Sequence, residues 1–222
     1  MGRKGSYNMK LDKDILNQNS EIDFVSMAQE VISLMQRDID TREKLIKGGF
    51  LQETYNSAMR KVNNENASRL EEIFNTVGIP TVEKVGIEAY KACWFIVQHS
   101  IDHPKFMKRY QAALKVIANQ NKTYQVDLAY LSDRINFFEG RPQKYGTQFD
   151  WDDNYEMSPY QFDSLEKVNI RRKSLGLNTL EDQIIIMRKH IIDTKQKPPM
   201  DIARKKAEFS RWKKDVGWIK RG

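Results

Sequence analysis

Apolar residues recur along this chain mostly at steps of three and four, the spacing that lines one face of an α-helix. Phe24, Met27, Ala28, Val31, Ile32, Leu34 and Met35 make the first such stripe. It starts near Ser20 or Asp23, and Gly48-Gly49 ends it after Lys44 and Lys47 in the last turn. A second stripe, Tyr55, Met59, Val62, Leu70, Ile73 and Phe74, predicts a helix over 52–76, with a break allowed at the polar run Asn63-Asn64-Glu65-Asn66. Residues 86–99 are apolar nearly all round, the mark of a central helix, so Trp94, Phe95 and Val97 are expected to be buried. Pro104 opens a fourth helix, with Phe106, Tyr110, Ala113, Leu114 and Ile117 on one face. A fifth spans 126–138 and stops at Gly140.

From 141 to 162 the pattern fails. Gly, Pro, Asp, Asn and aromatic residues alternate without a period, and a short strand pair is expected around 145–151. Irregular stretches of this length within a compact domain usually carry function. Helical spacing returns over 165–174, 180–192 and 202–219. The expectation is a mainly α, compact multi-helix domain of five to seven helices with one small β-hairpin after the fifth. Its predicted parts are a disordered arm over 1–20, the helical domain over 21–194 and a basic amphipathic extension over 195–222.

Charge sharpens this division. The net charge is +7, and residues 195–222 carry ten basic and three acidic side chains, so the rest of the chain is neutral. Any affinity for nucleic acid must therefore reside in the tail. Within the tail, Ile202, Phe209, Trp212, Val216 and Ile219 fall on one helical side, which predicts docking on the domain or on another subunit. Cys93 is the single cysteine, which excludes an intramolecular disulfide. No apolar run has the length of a membrane span, and no signal peptide is visible, so a cytoplasmic protein is expected. Met1-Gly2-Arg3-Lys4-Gly5-Ser6 also fits the loose acceptor pattern for N-myristoylation.

Phosphate-loop, dinucleotide-binding and nucleophile-elbow motifs are absent, and no cofactor is expected. His99 and His103 stand four apart, but Pro104 disfavours helical angles at His103, so no metal site is expected from them. Gln98-His99 closes the apolar third helix. Such a polar pair must find partners or face a cavity, because an unpaired buried polar group costs roughly 1–3 kcal/mol. His99 is the candidate acid/base. Tyr130 and Arg134 share a face of the fifth helix. Arg141, Gln143, Tyr145 and Gln148 crowd the segment after it, where arginine and amides suit a carboxylate or phosphate.

The Gln98-His99 helix end, the run Ala129-Tyr130-Leu131-Ser132-Asp133-Arg134 and the segment Arg141-Pro142-Gln143-Lys144-Tyr145-Gly146-Thr147-Gln148 together resemble an uncharacterised bacterial domain family of unknown function. The likeness covers about 25–185. It extends to an upstream acid and arginine, similar to Asp38 and Arg42, and to Arg171-Arg172 before Gly176-Leu177. Members carry an acid soon after the Gln-His pair; here it is displaced to Asp102, which leaves that residue without an implied role. The resemblance implies no reaction. It implies that Gln98, His99, Tyr145 and Gln148 line one site.

Two functions stay open. In one, a polar small-molecule-binding or catalytic pocket forms around His99 and the 145–148 turn, with Gln98, Tyr130, Arg134, Arg141, Gln143, Tyr145 and Gln148 binding the ligand. In the other, a non-enzymatic interaction module uses the same residues as a structural network, and the basic tail binds a partner or nucleic acid. Oligomeric state is open in both.

Overall fold

The computed structural model describes residues 22–48 and 56–220. Its described elements are eight α-helices, one 3-10 turn and one two-stranded antiparallel hairpin, so the fold is mainly α with slightly more helices than the pattern suggested. The arm over 1–20 lies outside the described residues.

Helix α1 (Phe24–Lys47) begins where the Asp23 carboxylate accepts from the Val25 and Ser26 amides. Helix α2 (Ser57–Val77) runs unbroken through the asparagine-rich stretch. The reason is burial: Asn66 is 1% exposed, donates to the Leu34 carbonyl and accepts from Arg37, which binds α2 to α1. Helix α3 (Val82–His99) contains a break at Gly86, whose φ of 80° suits glycine alone, so regular helix begins after it. Helix α4 (Pro104–Ile117) leads through the 3-10 turn (Ala118–Gln120) into α5 (Lys122–Phe138).

The core gathers on α3. Tyr90, Ala92, Cys93, Ile96 and Val97 are buried there against Val31 of α1, Leu70 of α2, and Tyr110 and Leu114 of α4. Burial pushes the Cys93 thiol up to about 12, which makes it unreactive. Trp94 and Phe95 are partly exposed, less completely buried than Val97. Helix α1 is the main neighbour of α3, and α2, α4 and α5 also touch it.

The hairpin pairs β1 (Phe149–Trp151) with β2 (Met157–Pro159), further along than expected. Asp152 forms its turn by accepting from the Asn154 and Glu156 amides. Helices α6 (Leu165–Ser174) and α7 (Leu180–Asp193) follow, and α7 lies against β2. Helix α8 (Ile202–Asp215) then turns back onto the end of the bundle. Phe209 stacks on Phe137, and Trp218 stacks on Phe138 with ring centroids 4.8 Å apart. The Trp218 indole donates to the Ile101 carbonyl and the Trp212 indole to Asp102. The apolar stripe of the tail thus packs against the core through Phe209, Trp212 and Val216, and Trp218 is buried in it. Among the described residues, no helix is long and apolar enough to cross a membrane.

Candidate functional site

The segment after α5 is a closed network. Asp133 sits on α5, fully buried, and its carboxylate accepts from the backbone amides of Lys144, Tyr145 and Thr147 and from the Thr147 hydroxyl. Burial pushes the Asp133 pKa up, and those donors pull it back only in part. Gln143, also fully buried, donates to the carbonyls of Gln148 and Tyr160 and accepts from the Gln148 amide. Arg172, 1% exposed, clamps the far side by donating to the Tyr145 carbonyl, the Asn178 carbonyl and the Asn178 side chain. Gly146 makes the bend with φ of 62° against the buried Leu180 side chain. Reading a sequence, one assigns a charged residue such as Asp133 to the surface; the loop's unpaired amides are the signal that it belongs inside.

Arg134 donates to the Gln148 side chain at 3.0 Å and lies over the Phe138 ring. Arg141 is exposed, pairs with Glu139 and lines a different groove beside α8. Tyr130 meets Trp94 edge-on, with centroids 6.4 Å apart. One turn earlier, the Tyr90 hydroxyl donates to Asp127 at 2.6 Å. The two contacts advance together, so α3 and α5 run in the same direction. The next turn brings Gln98 level with Arg134, and Trp218 bridges Ile101 to Phe138 a turn beyond. The seam between the helices carries polar groups: Tyr90 meets Asp127 and Trp94 meets Tyr130 across it, and Arg134 with Gln148 lies a turn further along α5. Burial raises the Asp127 carboxyl to about 6, against the downward pull of the Tyr90 hydroxyl and of Lys91.

His99 points to the other flank of α3. Its Nδ1 lies 2.9 Å from Asp38 of α1, and its ring packs on Phe95 at 4.2 Å between centroids. Asp38 is 1% exposed and continues the apolar stripe of α1; an acid on such a stripe is the signal that its partner lies across the interface. The Asp38 Oδ1, the Trp94 Nε1 and the Gln98 Nε2 are buried with no hydrogen-bond partner. The imidazole side chain itself is about a third exposed. Among the described residues no hydrogen bond or ring contact joins His99 or Gln98 to Tyr145, Thr147 or Gln148. What links the two regions is the seam of Trp94, Tyr130 and Arg134 between them.

Asp102 is a structural anchor. It accepts from Arg60, Asn64 and Trp212, joining α2, the α3–α4 turn and α8. His103 precedes Pro104 outside regular helix, and among the described residues no cluster of three or more His, Cys, Asp or Glu side chains is placed to hold a metal.

The fold and its polar seam define a helical domain with a central, half-open helix edge. The chain belongs to the family described as Family of unknown function (DUF6624), whose model matches residues 25–194. No curated protein and no solved structure matches it.

Proposed function

We propose that this domain binds a small polar molecule bearing an anionic group across the open edge of α3, with His99 as the acid/base beside it. The observation that carries this reading is the Asp38–His99 pair. A carboxylate at Nδ1 holds a proton on that nitrogen and leaves Nε2 as the base. The second oxygen of this buried carboxylate has no partner within the protein, which leaves it open to a donor from a ligand. The donors along the seam suit an anion. The Trp94 indole and the Gln98 amide have no acceptor, and Arg134 on α5 supplies a guanidinium.

The second reading, a structural network, is favoured for Gln143, Tyr145 and Gln148 by a specific observation. The backbone of this segment is tied by Asp133, Gln143 and Arg172, so these residues brace the wall behind Arg134 more than they meet a ligand.

The test is equilibrium dialysis of the full chain against a cell metabolite extract, read by mass spectrometry. Wild type should enrich one or a few anionic compounds. His99→Asn and Arg134→Met, each checked for folding by thermal melting, should lose that enrichment. Equal enrichment by folded His99→Asn and Arg134→Met proteins, or none by wild type, refutes the proposal.

A further inference from the structure

Helix α7 is apolar on two opposite sides. At about 100° per residue, Leu180, Ile184, Met187 and Ile191 fall on one side, where Leu180 and Ile191 are buried against the rest of the domain. Asp182, Ile185, Ile186, Lys189 and Ile192 fall on the other, and all five are exposed. Ile185 is 66% exposed, Ile186 53% and Ile192 75%, so this side faces water in the single chain. One apolar side chain on a surface is ordinary, but three on one helical stripe form a patch. Isoleucine is also a poor choice for an exposed helix position, because its branched Cβ loses rotamer freedom there. Local helix preference therefore does not account for these residues; burial against a partner does.

The charges around the patch match those of a second copy. Asp182 precedes Ile185 by three residues, and Lys189 follows Ile186 by three. In an antiparallel pair of α7 helices with the two-fold axis between Ile185 and Ile186, Asp182 of each copy stands level with Lys189 of the other. The four central isoleucines then meet about the axis, between two ion pairs. Asp182 accepts from the Thr179 hydroxyl through one carboxylate oxygen, which leaves the other for a cation. Among the described residues Lys189 meets no carboxylate. Antiparallel packing also sets the positive end of each helix dipole beside the negative end of the other. A parallel pair would oppose Asp182 to Asp182 and Lys189 to Lys189, which is unfavourable at both ends.

We infer that α7 is the contact of a two-fold symmetric dimer of this chain, formed by antiparallel pairing of the face that carries Asp182, Ile185, Ile186 and Lys189. A contact of this kind needs only one self-complementary patch. Helix α7 has 14 residues and is about 21 Å long, so the contact is smaller than the roughly 800 Å² per partner of a stable complex. The expected result is a reversible dimer with a Kd of about 1–100 µM. The inference uses no residue of the α3 edge and stands apart from the His99 reading.

Sedimentation equilibrium of the full chain over about 1–500 µM, at about 0.15 M salt, should show a monomer–dimer equilibrium. Ile185→Lys/Ile186→Lys should weaken it at least about tenfold, yet melt as wild type does at about 1 µM, because both side chains face water in the monomer. The wild-type melting temperature should rise with protein concentration, and that of the variant should not. Charge tests the register. Asp182→Lys and Lys189→Glu each place like charges opposite one another in the homodimer, so each alone should dimerise about fivefold more weakly. Mixed together, the two variants restore opposite charges at both ends and should recover wild-type affinity to within about threefold. His99→Asn should dimerise as wild type does, which separates this test from the one above. A wild-type chain that stays monomeric up to about 500 µM overturns the inference, whether another segment of the chain or another protein then covers the face. It is equally overturned if the isoleucine variant dimerises as wild type does, or if mixing the two charge variants restores nothing.

Discussion

Replacing Asp133 by Ala tests whether the 143–148 segment is a braced wall. Wild-type Asp133 receives the amides of Lys144 at 2.7 Å, Tyr145 at 3.0 Å and Thr147 at 3.1 Å, and the Thr147 hydroxyl at 3.2 Å. Hydrogen bonds to a charged acceptor contribute roughly 1.5–3 kcal/mol each. Their plain sum exceeds what is expected, for two reasons. The carboxylate lost its own hydration on burial, which its raised pKa records. The freed amides also belong to a surface segment that can reopen to water. Removing one partner from a buried charged cluster typically costs about 3–5 kcal/mol, and about 3–4 kcal/mol is expected here. Asp133→Asn keeps the size and one acceptor but turns an amide NH₂ toward donors, so about 2 kcal/mol is expected. Urea unfolding at neutral pH measures both, and hydrogen exchange should show residues 144–148 losing protection first. A loss below about 1 kcal/mol for Asp133→Ala, with exchange at 144–148 unaltered, would refute the brace.

The same wall predicts that Gly146→Ala lowers the melting temperature, by about 2–3 kcal/mol of stability, because φ is 62° and the new Cβ would lie 2.8 Å from the buried Leu180 Cδ1; an unchanged melting curve would show that the loop has another conformation. Asp127 gives a pH signature. Its folded pKa of about 6 lies above the ordinary 3.8, so its stabilising effect is fully present below 3.8 and is lost as pH rises through 6. Asp127→Asn should therefore be more stable than wild type at pH 7–8, by about 1–2 kcal/mol after allowing for partial exposure, and lose that advantage near pH 4; a pH-independent difference would contradict the assignment. Asp102→Ala should release α8 by removing the acceptor of Trp212, Arg60 and Asn64, at about 3 kcal/mol, with limited proteolysis cutting after residue 197; resistance equal to wild type would show that the ring contacts alone hold the tail. Trp94→Ala should cost only about 2 kcal/mol, since the ring is half-buried; a loss near 5 kcal/mol by urea unfolding would place it in the core.

Local pattern decided the helices. The stripe from Phe24 to Met35, the stops at Gly48, Gly140 and Gly176, and the start at Pro104 all depend on residues within one or two turns of each other, and each appears where the spacing predicts it. The docked side of α8 was also legible, because two tryptophans on an apolar stripe gain nothing from water. Gln98-His99 stood out as a polar pair ending an apolar helix. Its chemistry did not follow from that, because the partner of His99 is Asp38, brought across from α1 by the packing of two helices. The burial of Asp133, Gln143 and Arg172 did not follow from spacing for the same reason. A polar side chain is buried only when another segment delivers its hydrogen-bond partners, and for these three the partners come from a loop with no period to betray it. The pairing of Tyr90 with Asp127 and of Trp94 with Tyr130 depends on α3 and α5 running in the same direction, which the connection through α4 sets. Spacing of three and four determined which residues form each helix; only the tertiary structure decided which polar residues leave water, because that free energy rests on contacts between segments and not on neighbours in sequence.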